Sequence, residues 1–168
     1  DDGQTATLCD TTHEQAFWQR LFAAIADGQQ ITGSSGHVKP VQTETLSQLG
    51  KENSGDAALL GGEQSNTSAV IGGKFILKMF RRIGEGENPD LEIGRYLTEK
   101  AQLACAPRLA GGLEYYDRDG DRYSIAVLHE YISSEGDAWS YALDELGRYI
   151  EHINAEMLGP PSAELLPP

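Results

Sequence analysis

The sequence predicts an α+β fold in which antiparallel hairpins are combined with helices. Two β-prone stretches at 67–71 and 74–80 are joined by Gly72-Gly73, which supplies the positive φ values of a tight hairpin turn. Two further β-prone stretches, 108–116 and 123–132, flank a polar, aspartate-rich turn. Helical patterns precede, separate and follow the hairpins, which favours an α+β arrangement.

The first helical pattern lies near the amino terminus. Thr12 and Gln15 have the spacing of a capping box, apolar residues then recur at helical spacing, and Gly28 ends the run. We therefore predict a helix over 12–27. The next stretch, 31–62, has small and polar residues with short apolar alternations, which is typical of a few short strands and a loop.

Two more helices are predicted further along the chain. Asn-Pro-Asp at 88–90 combines an N-cap, a first-turn proline and an acid near the positive end of the helix dipole, and begins a helix over 89–103. Asp137 caps the last helix, whose apolar residues are spaced alternately by four and three from Trp139 to Met157. This apolar stripe is the best-defined helical face in the chain.

Composition indicates a globular and acidic chain. Its 168 residues, 39% of them hydrophobic, are enough for one domain or for a small cap plus a lobe. The net charge of -13 argues against a nucleic-acid or anionic-membrane partner, although a nucleotide needs only a local positive site. We expect a cytoplasmic protein, because the sequence shows no C-x-x-C spacing, no signal peptide and no apolar run long enough for a membrane anchor.

Lys78 is the residue that suggests chemistry. In the strand 74–80, side chains alternate, so Lys78 shares a largely apolar face with Ile76. Glu92 follows fourteen residues later in the predicted helix. The order of hairpin with a central Lys, helix with an early Glu, second hairpin and final helix is that of a protein-kinase-like small lobe, where the Lys binds ATP phosphates and the Glu holds the Lys. Ile76 would then cover the adenine.

Lys78 and Glu92 also have a purely structural interpretation. A strand Lys followed by a helical Glu is common, and the usual phosphate loop Gly-x-Gly-x-x-Gly is absent from 61–68. The four His residues share no metal-ligand spacing, so we predict no metal site and expect them at the surface or in helices.

A closer resemblance favours the kinase-like interpretation. Five segments resemble the bacterial maltokinases in the same order along the chain: 63–68 (EQSNTS), 75–82 (FILKMFRR), 88–99 (NPDLEIGRYLTE), 107–111 (PRLAG) and 135–141 (EGDAWSY). Together they cover most of residues 61–151. The resemblance implies transfer of the ATP γ-phosphate to the anomeric hydroxyl of maltose, giving maltose 1-phosphate. Maltokinases often form the carboxyl-terminal part of a trehalose synthase fusion that feeds α-glucan (glycogen) synthesis.

The same resemblance implies roles for individual residues. Lys78 would contact the ATP phosphates and Glu92 would orient Lys78. A phosphate-covering turn would be formed by Ser65, Asn66, Thr67 and Ser68. The hinge after the last strand would offer backbone groups of Glu130 and Ile132 to adenine.

The chain departs from the family in what it lacks. No His-Gly-Asp-like catalytic loop and no Asp-Phe-Glu-like metal segment occurs in the sequence. We expect the catalytic residues, the Mg²⁺ ligands and most of the maltose site in a large lobe outside these residues, and negligible phosphotransfer by the chain alone.

These inferences divide the chain into an amino-terminal cap at 1–60, a kinase-like small lobe at 61–132, and a hinge linker with the truncated first large-lobe helix at 133–168. The alternative is a non-catalytic docking or regulatory module of a trehalose synthase fusion. The apolar stripe of the last helix would normally pack on the absent large lobe, so the truncated lobe is expected to associate with itself.

Overall fold

The computed structural model describes residues 10–51, 55–61, 66–134 and 136–157. Among these residues it contains one seven-stranded antiparallel sheet and four α-helices, so the predicted α+β class is confirmed. The chain divides after Ile132 into two compact units. None of the described helices is long and apolar enough to cross a membrane.

The first unit contains the sheet and three of the helices. Its strands are β1 (Ile31–Thr32), β2 (Gly36–Gln42), β3 (Ala57–Leu60), β4 (Asn66–Ile71), β5 (Phe75–Phe80), β6 (Leu109–Asp117) and β7 (Arg122–Glu130). Across the sheet they follow the order β1-β2-β6-β7-β5-β4-β3. The helices are α1 (Gln15–Asp27), α2 (Glu44–Leu49) and α3 (Pro89–Arg95), and α3 continues as a π-helical segment, Tyr96–Ala101.

The second unit contains α4 (Ala138–Met157). Asp137 caps this helix as predicted, because its carboxylate accepts a hydrogen bond of 2.8 Å from the Ser140 amide. The side chains of Trp139, Leu146 and Ile150 are 73%, 53% and 50% exposed. The predicted apolar stripe is therefore a solvent-facing surface over its described part.

Both predicted hairpins are confirmed. Strands β4 and β5 pair antiparallel and are joined at Gly72 and Gly73, whose φ angles of 56° and 65° are the positive values that a tight hairpin turn needs. Strands β6 and β7 form the second hairpin. The predicted boundary between a cap at 1–60 and a lobe at 61–132 stays a prediction, and β1, β2 and β3 belong to the same sheet as the two hairpins.

The amino-terminal helix starts later than its sequence predicts. Helix α1 begins at Gln15 with Glu14 as its N-cap, so Thr12 lies two residues before the cap position and the capping-box prediction is wrong. The Thr12 amide and hydroxyl instead donate to the Asp10 carboxylate. Gly28 ends the helix in a left-handed conformation, as predicted.

The middle helix keeps its predicted start and changes its form. The Asn88 side chain accepts a hydrogen bond of 2.9 Å from the Asp90 amide, so the predicted N-cap is confirmed. Beyond Arg95 the α-helix gives way to π-helical turns, which the prediction of one helix over 89–103 missed. This wider segment brings the Thr98 hydroxyl to the Leu109 amide, at 2.7 Å.

The stretch 31–62 contains the expected short strands and also helix α2, which sequence analysis missed. Six residues are too few to show a helical period. The Thr43 hydroxyl, just before α2, donates to the Leu109 carbonyl. Leu109 therefore has both its amide and its carbonyl bound by threonine hydroxyls.

Helices cover both faces of the sheet. On one face, Trp18 and Phe22 of α1 are buried against Phe75 and Leu77 of β5. On the other face, Phe80, Leu91, Leu109 and Val127 form a second, smaller core, to which α3 contributes Leu91. The sheet is thus the middle layer, and α3 marks the face on which the even-numbered residues of β5 lie.

Glycine allows α3 to lie close to the sheet. A Cβ atom placed on Gly112 of β6 would lie 2.7 Å from the Ala126 carbonyl oxygen and 3.0 Å from Leu91 Cδ1. Both distances are shorter than ordinary van der Waals contact, so any side chain at this position displaces either the neighbouring strand or α3.

We predict that Gly112→Ala lowers the free energy of unfolding by about 1–3 kcal/mol, the usual cost of overpacking a core. Urea unfolding of the chain measures the change. Gly84→Ala is the matched control, because a Cβ atom at Gly84 meets nothing within 4 Å. Equal stability of the two variants would show that α3 does not need the space at Gly112.

Candidate functional site

Lys78 lies in the middle of the sheet. Its strand neighbours in register are Ser68 of β4 and Val127 of β7. Residues directly opposite in antiparallel strands share a face, so these three side chains lie together, and Ile76 and His129 form the next pair on the same face. We call these five residues the Lys78 face. Ser68 is buried and Lys78 is half-buried.

Helix α3 lies on the same side of the sheet as Lys78. Phe80, two residues after Lys78, belongs to the small core that contains Leu91 of α3. At the other end of the face, a Cβ atom on Gly94 of α3 would lie 3.0 Å from His129 Nε2. The helix therefore partly covers the imidazole ring.

Electrostatics connect His129 to its neighbours. Burial lowers the pKa of His129, and the positive charge of Lys78 lowers it further, whereas the carboxylate of Asp90 opposes the shift. The imidazole is therefore neutral at pH 7. The expectation that the His residues lie at the surface or in helices is wrong for His37 and His129, which are half-buried in β2 and β7.

The structure does not bring Glu92 to Lys78. Leu91 and Gly94 of α3 are buried against the sheet, and Glu92 is exposed on another side of the helix. Among the described residues these two side chains form no ion pair. Asp90 is instead the α3 carboxylate that influences the Lys78 face, through His129. The orienting role of Glu92 stays a prediction.

The predicted phosphate-covering turn is partly described. Ser65 lies outside the described residues. Asn66 and Ser68 pair with Phe80 and Lys78, so both belong to the side of the sheet that carries Lys78. Thr67 lies between them on the opposite side, where its hydroxyl accepts a hydrogen bond of 2.9 Å from Arg81 Nε. The alternation of β4 thus places Asn66 and Ser68, and not Thr67, with Lys78.

The predicted hinge residues Glu130 and Ile132 line a cavity of about 650 Å³. The cavity lies at the end of β7, between α2 and the π-helical segment. The Glu130 amide donates to the Arg108 carbonyl at 2.8 Å, so this amide is already bound. In the predicted contact of Glu130 and Ile132 backbone groups with adenine, Glu130 would therefore use its carbonyl and not its amide.

A bidentate ion pair closes one side of this cavity. Arg108 donates to both carboxylate oxygens of Glu130, at 2.8 and 3.1 Å, and to the Gln48 side chain of α2, at 2.8 Å. The hydrogen bond from Arg108 lowers the pKa of Glu130. The sequence does not predict this group of residues, since only the pairing of β6 with β7 brings Arg108 to Glu130.

Comparison with known proteins adds no family to this geometry, because no protein-family profile matches the chain. Among the described residues, no group of three or more His, Cys, Asp or Glu side chains is arranged to hold a metal ion. The candidate site therefore consists of an ammonium group, a buried hydroxyl and a neutral imidazole on one sheet face. This combination suits an anionic ligand, since the charge on the face is positive.

We predict that Lys78→Met raises the pKa of His129, because it removes a nearby positive charge that disfavours the imidazolium. Titration of the imidazole by NMR measures the change. Lys51→Met is the matched control, since Lys51 is exposed outside the Lys78 face. An unchanged pKa in Lys78→Met would show that the ammonium group points away from His129.

Proposed function

We propose that this chain is the ATP-binding part of an ATP-dependent maltose 1-phosphotransferase in trehalose and α-glucan metabolism, and that its first unit is a kinase-like small lobe. The proposed reaction converts maltose and ATP to maltose 1-phosphate and ADP. The catalytic base, the Mg²⁺ ligands and most maltose contacts would be supplied by a large lobe outside these residues.

The order of strands supports a kinase-like small lobe. β3, β4 and β5 form a meander, α3 follows β5, and the β6–β7 hairpin returns so that β7 pairs with β5. The strand that carries Lys78 is therefore central, and α3 lies on the side that Lys78 faces. This is the arrangement in which a strand Lys and a following helix bound one phosphate-binding cleft.

The observation that carries the proposal is the half-buried position of Lys78 without a carboxylate partner among the described residues. Removing an ammonium group from water costs free energy unless an anion compensates it. Three half-buried or buried acids of this unit, Glu87, Glu114 and Glu130, are already paired with arginines. A bound phosphate group is the compensating anion that this face is suited to receive.

Each residue of the site has a limited task in this proposal. Lys78 binds the phosphates by a charge-assisted hydrogen bond, and the Ser68 hydroxyl lies beside it. Ile76, next to Lys78 on the same face, provides an apolar contact for the adenine. His129 is neutral, so it adds no charge and offers a hydrogen-bonding nitrogen.

We predict that Lys78→Met weakens binding of MgATP to the chain about tenfold or more, which corresponds to loss of a charge-assisted hydrogen bond of about 1.5–3 kcal/mol. Isothermal titration calorimetry measures the affinity, with Lys51→Met as the control of equal charge change. In the full-length polypeptide that carries these residues, ADP release should depend on maltose more than on glucose and should be lost in Lys78→Met. Maltose-dependent activity that survives this substitution would refute the ATP role.

A docking function is the second candidate, and the exposed stripe on α4 favours it. Trp139, Leu146 and Ile150 present a contiguous apolar surface of the kind that marks interaction sites. A docking or regulatory module of a trehalose synthase fusion would use this stripe without binding nucleotide. If the Lys78→Met variant still binds the trehalose synthase domain and the Leu146→Glu variant does not, docking is supported as the main function.

A further inference from the structure

A chain of buried ion pairs joins α3 to the sheet. Glu87, in the loop before α3, places one carboxylate oxygen 2.9 Å from Arg95 of α3 and the other 3.2 Å from Arg122 of β7. Arg122 in turn lies 3.5 Å from Glu114 of β6. The Tyr116 hydroxyl donates to the far oxygen of Glu114 at 3.0 Å. Two acids and two arginines therefore balance each other across three elements.

The acids are the most buried members of this network. The side chains of Glu87 and Glu114 are 13% and 4% exposed, whereas those of Arg95 and Arg122 are 35% and 36% exposed. Each carboxylate also has one buried oxygen without a hydrogen bond. The carboxylates are thus held mainly by the charges of the arginines, so removal of Glu87 leaves Arg95 without its counter-charge and leaves Arg122 with Glu114 alone.

The segment before α3 is bound to β7 along its length. The Gly86 amide donates to the Arg122 carbonyl at 2.6 Å, and the Asn88 amide donates to the Ser124 hydroxyl at 2.9 Å. Glu87 lies between these two contacts and is the residue that also reaches Arg95, near the end of α3. It therefore fixes the helix at a second point, one that the backbone contacts do not reach.

We infer that Glu87 is a positioning residue that holds α3 over the Lys78 face. The consequence for nucleotide binding rests on the proposed function, whereas the placement of α3 does not. Gly94 of α3 lies against His129, beside Lys78, and the charge of Asp90 acts on the same imidazole, so a displacement of the helix changes the surroundings of both basic groups. An acid in the preceding loop thereby controls how much of the candidate site α3 covers.

The test is the NMR titration of His129 in Glu87→Gln, a neutral variant of the same size. We expect the pKa of His129 to rise toward the ordinary value of about 6.5, because burial is the largest cause of its lowering and α3 no longer shields the imidazole from water; this outweighs the loss of the smaller, opposing effect of Asp90. Glu145→Gln is the matched control, since Glu145 is an acid of α4 that pairs with Arg148. Glu87→Asp, which keeps the charge, should give a smaller rise.

A folded Glu87→Gln variant with an unchanged His129 pKa and a lower unfolding midpoint would overturn the inference, since the network would then stabilise the fold without placing α3. If Glu87→Gln does not fold, Arg95→Gln removes the same link from the helix side and is read in the same way.

MgATP affinity separates the two proposals. If Lys78→Met does not change the affinity for MgATP, only the nucleotide site is refuted. If Lys78→Met lowers the affinity but Glu87→Gln leaves the pKa of His129 unchanged, only the positioning role is refuted.

Discussion

The pairing of β5 with β7 is the contact on which the rest of the structure depends. It joins two hairpins that are each local in sequence into one sheet, with Lys78 opposite Val127. The Tyr131 amide extends the contact to the Lys74 carbonyl at 2.7 Å. Because about fifty residues separate the paired positions, this contact is non-local, and forming it costs the entropy of closing a long loop.

The fold could be predicted where local chemistry decides it. Gly72-Gly73 requires a tight turn, and Asn88 and Asp137 act as helix caps because their side chains reach amides two and three residues away. Side chains alternate along β5, and this local rule predicts that Ile76 and Lys78 share a face. In contrast, Thr12 does not cap α1, because the helix begins two residues later than the capping-box spacing predicts, with Glu14 as its N-cap.

The site could be predicted less completely, because helix rotation is a tertiary property. The sequence places both Asp90 and Glu92 in the first turns of α3, and either could face Lys78. Packing of Leu91 beside Gly112 decides the rotation, and it leaves Glu92 exposed. The Glu87 network and the Arg108–Glu130 pair escaped the sequence for a similar reason, since their partners meet only after the strands have paired.

The strand order places a short strand at each edge of the sheet. Within the part of the chain that the structure describes, the sheet ends in β1, of two residues, and β3, of four residues, so each of these edges exposes few unpaired backbone groups. Beyond the short β1, strand β2 carries Pro40, which has no amide proton to offer to another strand. Polymerisation of this sheet by strand addition is therefore unfavourable at both sides. Association of the protein, where it occurs, is directed to side-chain surfaces, and its specificity can change through surface substitutions that leave the sheet intact.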